Sequence, residues 1–274
     1  MAISPPVELQ YAHRSDRGYA RRTNDDTSAV EEMQLLDGRR AVLAAVADGI
    51  SSTPAGAEAS QIAVATSFGY LQDQLQRYLP RTEVQWQQLL VASLQAANAA
   101  VHARGLTTNR SSMGTTLMIT AVIGRRARIA HIGDCRAYAV RPAVRRPQIT
   151  QLTAEHTVVA ELVGQGALSY AEANGHPQRH HLARALGVDL HVEPETVART
   201  LRATERLLLC SDGLPLHLSD ADIARVISDA PTPRSACDHL IELANARGGR
   251  DNLSAVVIAA SPTDGATSYE LSPS

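Results

Sequence analysis

Ala41 to Ser60 read AVLAAVADGISSTPAGAEAS. The seven residues Ala41 to Ala47 are all apolar, a run of the length of a buried strand. The run halts at Asp48-Gly49, where a carboxylate meets a residue free to take positive φ. A buried strand ending this way aims one charge at a fixed point. Ile50 to Pro54 has loop composition, and from Ala55 to about Tyr78 the residues Ala59, Ile62, Ala63, Thr66 and Tyr70 recur at helical spacing. Strand, turn and helix alone would be unremarkable, because Asp-Gly is a common turn dipeptide. The same device recurs, however. Leu207 to Ser211 lead into Asp212-Gly213, and Ala130-His131-Ile132 lead into Gly133-Asp134. Gly248 to Asn252 reverse the order, with Asp251 feeding the strand Leu253 to Ala259. Repeated aspartates at strand ends point to one carboxylate-lined metal site.

Working outward, Tyr11 to Asp16 reads as a short strand, and Arg17 to Asp26 as a polar loop dense in guanidinium and carboxylate groups. Thr27 to Leu36 turns at Asp37-Gly38 into the Ala41 strand, which predicts a hairpin. Glu83 to about Arg104 carries a helical apolar face of Leu89, Leu90, Leu94, Ala97 and Val101. Thr115 to Ile123, Ala127 to Ile132 and Arg136 to Arg141 are β-rich. Glu155 to His181 reads as an insertion of helices and polar loop lying over the strand ends, and Leu182 to Leu186 as a helical turn. A buried strand lies within Leu201 to Ser211, with helices over Ser219 to Ser228 and Pro233 to Ala246. Strands in hairpins and helices in pairs are not the alternation of a doubly wound sheet. They predict antiparallel sheets flanked by helices.

The 28 acidic residues nearly balance 26 basic ones, all of them arginine, so no general nucleic-acid field is expected. The lack of lysine removes P-loop, kinase and Schiff-base chemistries. Cys135, Cys210 and Cys237 form neither a disulfide framework nor a zinc motif, which suits a reducing compartment. Neither a signal segment nor an apolar run of membrane-span length is present, so a cytoplasmic protein without membrane contact is expected. Cys135 and Arg141 have the C-x5-R spacing of cysteine-dependent phosphatases, but the residues between them read as strand, and Asp134 would raise the thiol pKa. His176 to His181 reads as exposed polarity.

Asp25, Asp48, Asp134, Asp212 and Asp251 are spread along the chain, so only a fold that gathers strand ends brings them together. Hard divalent cations offset such repulsion best, and oxygen donors favour Mg²⁺ or Mn²⁺ over Zn²⁺. Two ions sharing a carboxylate lower the pKa of a bridging water to give hydroxide near neutral pH, with Arg21 available to clamp an anion.

The ordered set Arg21-x-x-Asn24-Asp25-Asp26, Val46-Ala47-Asp48-Gly49, Ala57-Glu58-Ala59-Ser60, Gly114-Thr115-Thr116, His131-Ile132-Gly133-Asp134-Cys135-Arg136, Leu152-Thr153-Ala154-Glu155-His156, Arg184-Ala185-Leu186-Gly187, Leu209-Cys210-Ser211-Asp212-Gly213 and Arg250-Asp251-Asn252 resembles the metal-dependent serine/threonine protein phosphatases (PPM, type 2C) in their compact bacterial form. The resemblance implies an α+β fold, a four-layer α-β-β-α sandwich of two antiparallel sheets with a flap insertion. It implies one phosphatase domain over residues 11–260, with the flap at about 155–181, a loose lead-in over 1–10 and a flexible tail over 261–274. Its implied chemistry is hydrolysis of phosphoserine and phosphothreonine in proteins by a hydroxide bridging two core Mn²⁺ or Mg²⁺ ions, with a weaker third ion. By the same resemblance Asp48 bridges the core ions and Gly49 offers its carbonyl. Asp212 and Asp251 hold one ion, and Asp25 acts on the other partly through water. Asp134 joins Asp212 at the third, and Arg21 binds the substrate phosphate. The implied partners are phosphoproteins and an opposing serine/threonine kinase, with the chain acting as a monomer. Three departures stand out: Ile50 to Pro54 replaces a Gly-Gly loop, Asp25 a more usual Glu, and Cys135 a more usual Ser. Ile50 cannot donate a proton, so the leaving group must take its proton elsewhere. A second reading is a catalytically weak or silent phosphoprotein-binding, partner-switching module of the same fold. The altered loop favours it, and retention of Asp48, Asp212 and Asp251 opposes it.

Overall fold

The computed structural model describes residues 7–50, 55–108, 113–143 and 146–262. The expected loop beyond Ile50, from Ser51 to Pro54, and the expected tail from residue 263 lie outside them. In chain order the elements are β1 (Val7–Asp16), β2 (Asp26–Gln34), β3 (Arg40–Asp48), α1 (Gly56–Arg77), α2 (Glu83–Thr107), β4 (Leu117–Ile123), β5 (Arg126–Ile132), β6 (Arg136–Arg141) and β7 (Gln148–Gln151). There follow α3 (Val158–Gly164), α4 (Tyr170–Gly175), β8 (Glu195–Thr200), β9 (Arg206–Cys210), α5 (Gly213–His217), α6 (Asp220–Asp229), α7 (Pro233–Ala246) and β10 (Leu253–Pro262).

The strands form two five-stranded sheets, ordered β1-β10-β9-β6-β7 and β2-β3-β4-β5-β8, and every pairing is antiparallel. β3 shows why its run is apolar without alternation. Ala41, Leu43, Ala45 and Ala47 pack with Phe68, Leu71, Leu90 and Leu94 of α1 and α2. Val42, Ala44 and Val46 face the other way and meet Leu207, Leu209, Val256 and Ile258 of the opposite sheet. A strand covered on both faces needs apolar residues at odd and even positions alike. On the far side Tyr138, Val140 and Leu208 pack against Ile223 and Ile227 of α6 and Leu240 and Ile241 of α7. Helices, sheet, sheet and helices therefore stack in four layers, as the sequence predicts.

Several local expectations shift. β1 begins at Val7 rather than Tyr11, and residues 7–10 pair with β10. β6 does not extend the β4–β5 hairpin but crosses to the other sheet and pairs with β9. The crossing is made at Gly133, whose φ is 103° and whose missing Cβ would stand 2.4 Å from the Thr116 side chain. Leu182 to Leu186 is not a helical turn. It is kept out of a helix by bridges from Leu182 to Thr157 and from Leu186 to Thr115. Gly49 does not adopt positive φ; it is required by close approach, since a Cβ there would lie 2.2 Å from the Gly56 carbonyl oxygen. No helix among the described residues is long and apolar enough to cross a membrane.

Leu43 is fully buried between β3 and the α1–α2 layer. Leu43→Ala is expected to cost about 2–5 kcal/mol of stability, read from urea unfolding followed by circular dichroism. A cost below about 1 kcal/mol would mean that this layer is not packed as described.

Candidate metal centre

The strand ends gather as the sequence requires. Asp48 closes β3, Asp134 lies in the turn between β5 and β6, Asp212 follows β9, and Asp251 precedes β10. All four line one cleft of about 320 Å³ at the same end of both sheets, together with Arg21 and Gly49. Ile50, Thr116, Leu182, Leu216 and His180 complete the wall. His180 belongs to the stretch expected as exposed polarity. It is exposed, yet it also lines the cleft that the carboxylates share.

Backbone contacts fix the cluster. The Asp48 N–H donates to Thr116 Oγ1 (2.9 Å), and the Asp48 carbonyl accepts from the Thr116 N–H (2.8 Å) and Thr115 Oγ1 (2.9 Å). Asn252 draws the Arg17–Asp25 loop inward. Its Nδ2 donates to the carbonyls of Arg17 (2.8 Å) and Thr23 (2.9 Å), and its Oδ1 accepts from the Asp25 N–H (2.8 Å).

Asp25 does not line the cleft. Its carbonyl accepts from the Gly49 N–H (3.1 Å) and the Ser60 hydroxyl (2.7 Å). The next residue, Asp26, stands opposite Asp48 in the β2–β3 register and is buried. Its Oδ2 accepts from the Ser211 hydroxyl at 2.7 Å. Asp26 is a carboxylate that sequence reasoning quoted but did not select. A signal was available, since a hairpin centred on Asp37 pairs residues equally spaced on either side, which sets Asp26 against Asp48.

The electrostatics are those of carboxylates crowded in a dry place. Desolvation raises the Asp48 carboxyl well above the ordinary range, and Asp26, Asp212 and Asp134 push it the same way. Asp134 is raised well above that range by desolvation, then by Asp212 and Glu155. Asp212 is raised by desolvation and by Asp251, while a hydrogen bond with Asp48 opposes the shift. Desolvation brings Asp26 to about 7, against lowering bonds from Ser211 and Ser254. One oxygen of Asp26 and one of Asp212 have no hydrogen-bond partner among the described residues. Orphaned oxygens and mutual repulsion are what a hard cation relieves, so this donor set fits Mg²⁺ or Mn²⁺.

Arg21, expected to hold a phosphate, here holds Asp251 in a two-pronged pair, Nε to Oδ1 and Nη2 to Oδ2, both at 2.8 Å. Cys135 is buried beside Thr116 Oγ1 (3.2 Å), with its thiol pKa raised well above the usual value by desolvation and by Asp48 and Asp134. That removes it as a nucleophile.

A family model described as protein phosphatase 2C matches residues 20–257. The chain belongs to the protein phosphatase 2C family. It is 37% identical over 250 residues to the serine/threonine protein phosphatase PstP of Mycobacterium tuberculosis (strain ATCC 25618 / H37Rv), covering 91% of this chain and 44% of that protein. It thus spans less than half the length of that relative. With the serine/threonine phosphatase stp of Listeria innocua serovar 6a it shares 31% identity over 255 residues, 89% of this chain and 93% of that one. Among solved structures, the catalytic domain of PstP in complex with two manganese ions superposes with a TM-score of 0.75 at 35% identity, covering 93% of this chain and 99% of that one. The altered loop that favours a silent family member lies, beyond Ile50, outside the described residues.

The raised carboxyls set the pH dependence of the metal-free protein. Their folded pKa values exceed that of an unfolded Asp, so the folded state keeps protons that the unfolded chain has released. For Asp26 this stabilisation is full below about pH 4 and is lost as pH rises through about 7. Asp26→Asn is therefore expected to raise the melting temperature in EDTA at neutral pH and to flatten the decline across that window. Calorimetric scans with identical slopes for parent and variant would contradict the assignment.

Proposed function

We propose that this chain hydrolyses phosphoserine and phosphothreonine in proteins with the help of two divalent cations, Mn²⁺ or Mg²⁺. The observation that carries the reading is the meeting of Asp48, Asp134, Asp212 and Asp251 with Arg21 around one cleft. Family membership and the two manganese ions of the PstP catalytic domain support it. Asp48, the Gly49 carbonyl, Asp212 and Asp251 would hold the two core cations, with Asp25 acting through water from outside the cleft lining and Asp26 buried opposite Asp48. Asp134 with Asp212 would hold a weaker third cation. When bound, the cations supply Lewis acidity and bring the pKa of water close to neutrality.

The chain's own groups bind and orient. Arg21 presents a planar fork whose match to two oxygens of Asp251 is the match it offers to two oxygens of a phosphate. Leu182 and Leu216 give the cleft apolar walls for the substrate's main chain and neighbouring side chains. The Ile50 side chain itself offers no proton. In the reaction the water oxygen bonds to phosphorus and gives up one proton to solvent, the bond from phosphorus to the seryl or threonyl oxygen breaks, and that oxygen takes one proton from solvent as it departs as the hydroxyl. The substrates are phosphoproteins, and an opposing bacterial serine/threonine kinase in the cytoplasm is the matching partner.

Hydrolysis of a phosphothreonine peptide is expected only with Mn²⁺ or Mg²⁺ and to stop on chelation. Asp48→Ala and Asp212→Ala should each lower turnover at least about a thousandfold, on the order of 4 kcal/mol of barrier, with circular dichroism unchanged. Cys135→Ser should remain active. Full activity in metal-free buffer, or loss of activity in Cys135→Ser with the fold intact, would refute the mechanism.

A further inference from the structure

Asp134 owes its place to a turn that cannot hold itself. Gly133, which precedes it, has no side chain, and its φ of 103° beside Thr116 admits none. We infer that His156 is a positioning residue for Asp134, clasping the Gly133 peptide groups and tying them to the start of the flap; this rests on the reading of Asp134 as a cation ligand.

His156 is only 2% exposed. Its N–H donates to the Gly133 carbonyl (3.0 Å), and its Nδ1 accepts from the Gly133 N–H (3.2 Å), so one residue holds both polar groups of the other. The His156 carbonyl accepts from the Ala183 N–H at 2.8 Å, and Thr157, next in the chain, caps α3. Because Nδ1 accepts, the ring proton sits on Nε2, which lies 3.2 Å from Glu195 Oε1 without hydrogen-bond alignment. His131 stacks on the ring, with centroids 4.7 Å apart and 21° between planes. Arg184 holds the same Glu195 oxygen at 3.2 Å and reaches Glu161 of α3 at 3.3 Å. Burial lowers the pKa of both imidazoles, which keeps His156 in the neutral form that can accept.

Donor atoms of His131, His156 and Glu195 lie within 4.8 Å of one another, and both His131 nitrogens lack partners among the described residues, so a transition-metal site is the rival reading. Two contacts oppose it. A cation on His156 Nε2 would send the ring proton to Nδ1, where the Gly133 N–H already points. The Arg184 guanidinium also occupies the side of Glu195 that a cation would need.

The test compares His156→Leu, which fills the space without an acceptor, with His156→Asn, whose Oδ1 stands close to where Nδ1 does. In the Leu variant the Gly133 amide, followed by NMR in EDTA, should exchange with solvent about tenfold faster or more. The weakest Mn²⁺ binding event in calorimetry should loosen by a similar factor, with the tighter events within about twofold. The Asn variant should restore both to within about threefold of the parent. If the Leu variant does not fold, His156→Gln, whose acceptor lies one methylene further out, replaces it with the same expectations. Unaltered Gly133 exchange in a folded Leu or Gln variant would overturn the inference. So would Zn²⁺ shifting the His131 and His156 ring resonances in the parent but not in Glu195→Ala. Asp134→Ala measured alongside separates two failures. Unchanged Mn²⁺ binding there rejects the cation role of Asp134, whereas a weak event lost there yet intact in His156→Leu rejects the clasp.

Discussion

Carboxylates that repel one another must be held together by everything else. Two like charges 4 Å apart at an effective dielectric constant of about 20 oppose each other by roughly 4 kcal/mol, and Asp48 alone has Asp26, Asp134 and Asp212 acting on it. No local turn sustains that. What sustains it is a pair of sheets with central strands such as β3 apolar on both faces, so that sliding that strand to relieve the repulsion would move its side chains out of two layers at once. Protonation is the remaining relief, and the upward shifts of Asp26, Asp48, Asp134 and Asp212 have that meaning. A cation offers the same relief without neutralising the donors chemically.

The sandwich does more than crowd charges. Each aspartate is carried at a place where main-chain direction is over-determined. Asp48 shares reciprocal hydrogen bonds with Thr116, and the loop bearing Arg21 is gathered by three hydrogen bonds from one side chain, Asn252. Asn252 also adjoins Asp251, so the residue next to the cleft carboxylate at the start of β10 also positions the loop from Arg17 to Asp25. Motion of one is motion of the other.

Much of this was legible in the sequence because its signals are local. An apolar run ending in Asp-Gly places a charge without reference to distant residues, and Asp48, Asp134, Asp212 and Asp251 all reach the cleft that their motifs suggested. What escaped depends on non-local pairing. Setting Asp26 rather than Asp25 against Asp48 requires the register across β2 and β3, which the adjacent aspartates do not carry by themselves and which appears only on counting outward from the turn at Asp37. β7 (QITQ) and β8 (ETVART) are edge strands, short and partly exposed, so their polar residues hide them. Leu182 to Leu186 has helical composition, yet bridges to Thr157 and Thr115 at its two ends keep it out of a helix, tertiary pairing overriding local preference. The pairing of Arg21 with Asp251 spans most of the chain and has no sequence signature at all.

That pairing bears on how the site works. Arg21 is 40% exposed and Asp251 21% exposed in their side chains. An ion pair so open to water is screened and contributes on the order of 0–1 kcal/mol. On the proposed function a phosphate monoester at the same guanidinium meets the same screening, but brings a charge of about −1.5 to −2 against the single charge of a carboxylate. Exchange of Asp251 for phosphate is therefore favourable from the arginine's side and cheap from the aspartate's. Until then the pair keeps the guanidinium within the cleft rather than in solvent, where four rotatable side-chain bonds would have to be fixed again at each encounter, a cost of about 2 kcal/mol. On the proposed function Asp251 thus serves the phosphate site as well as a cation site, because its pairing keeps Arg21 ordered in the absence of either ligand.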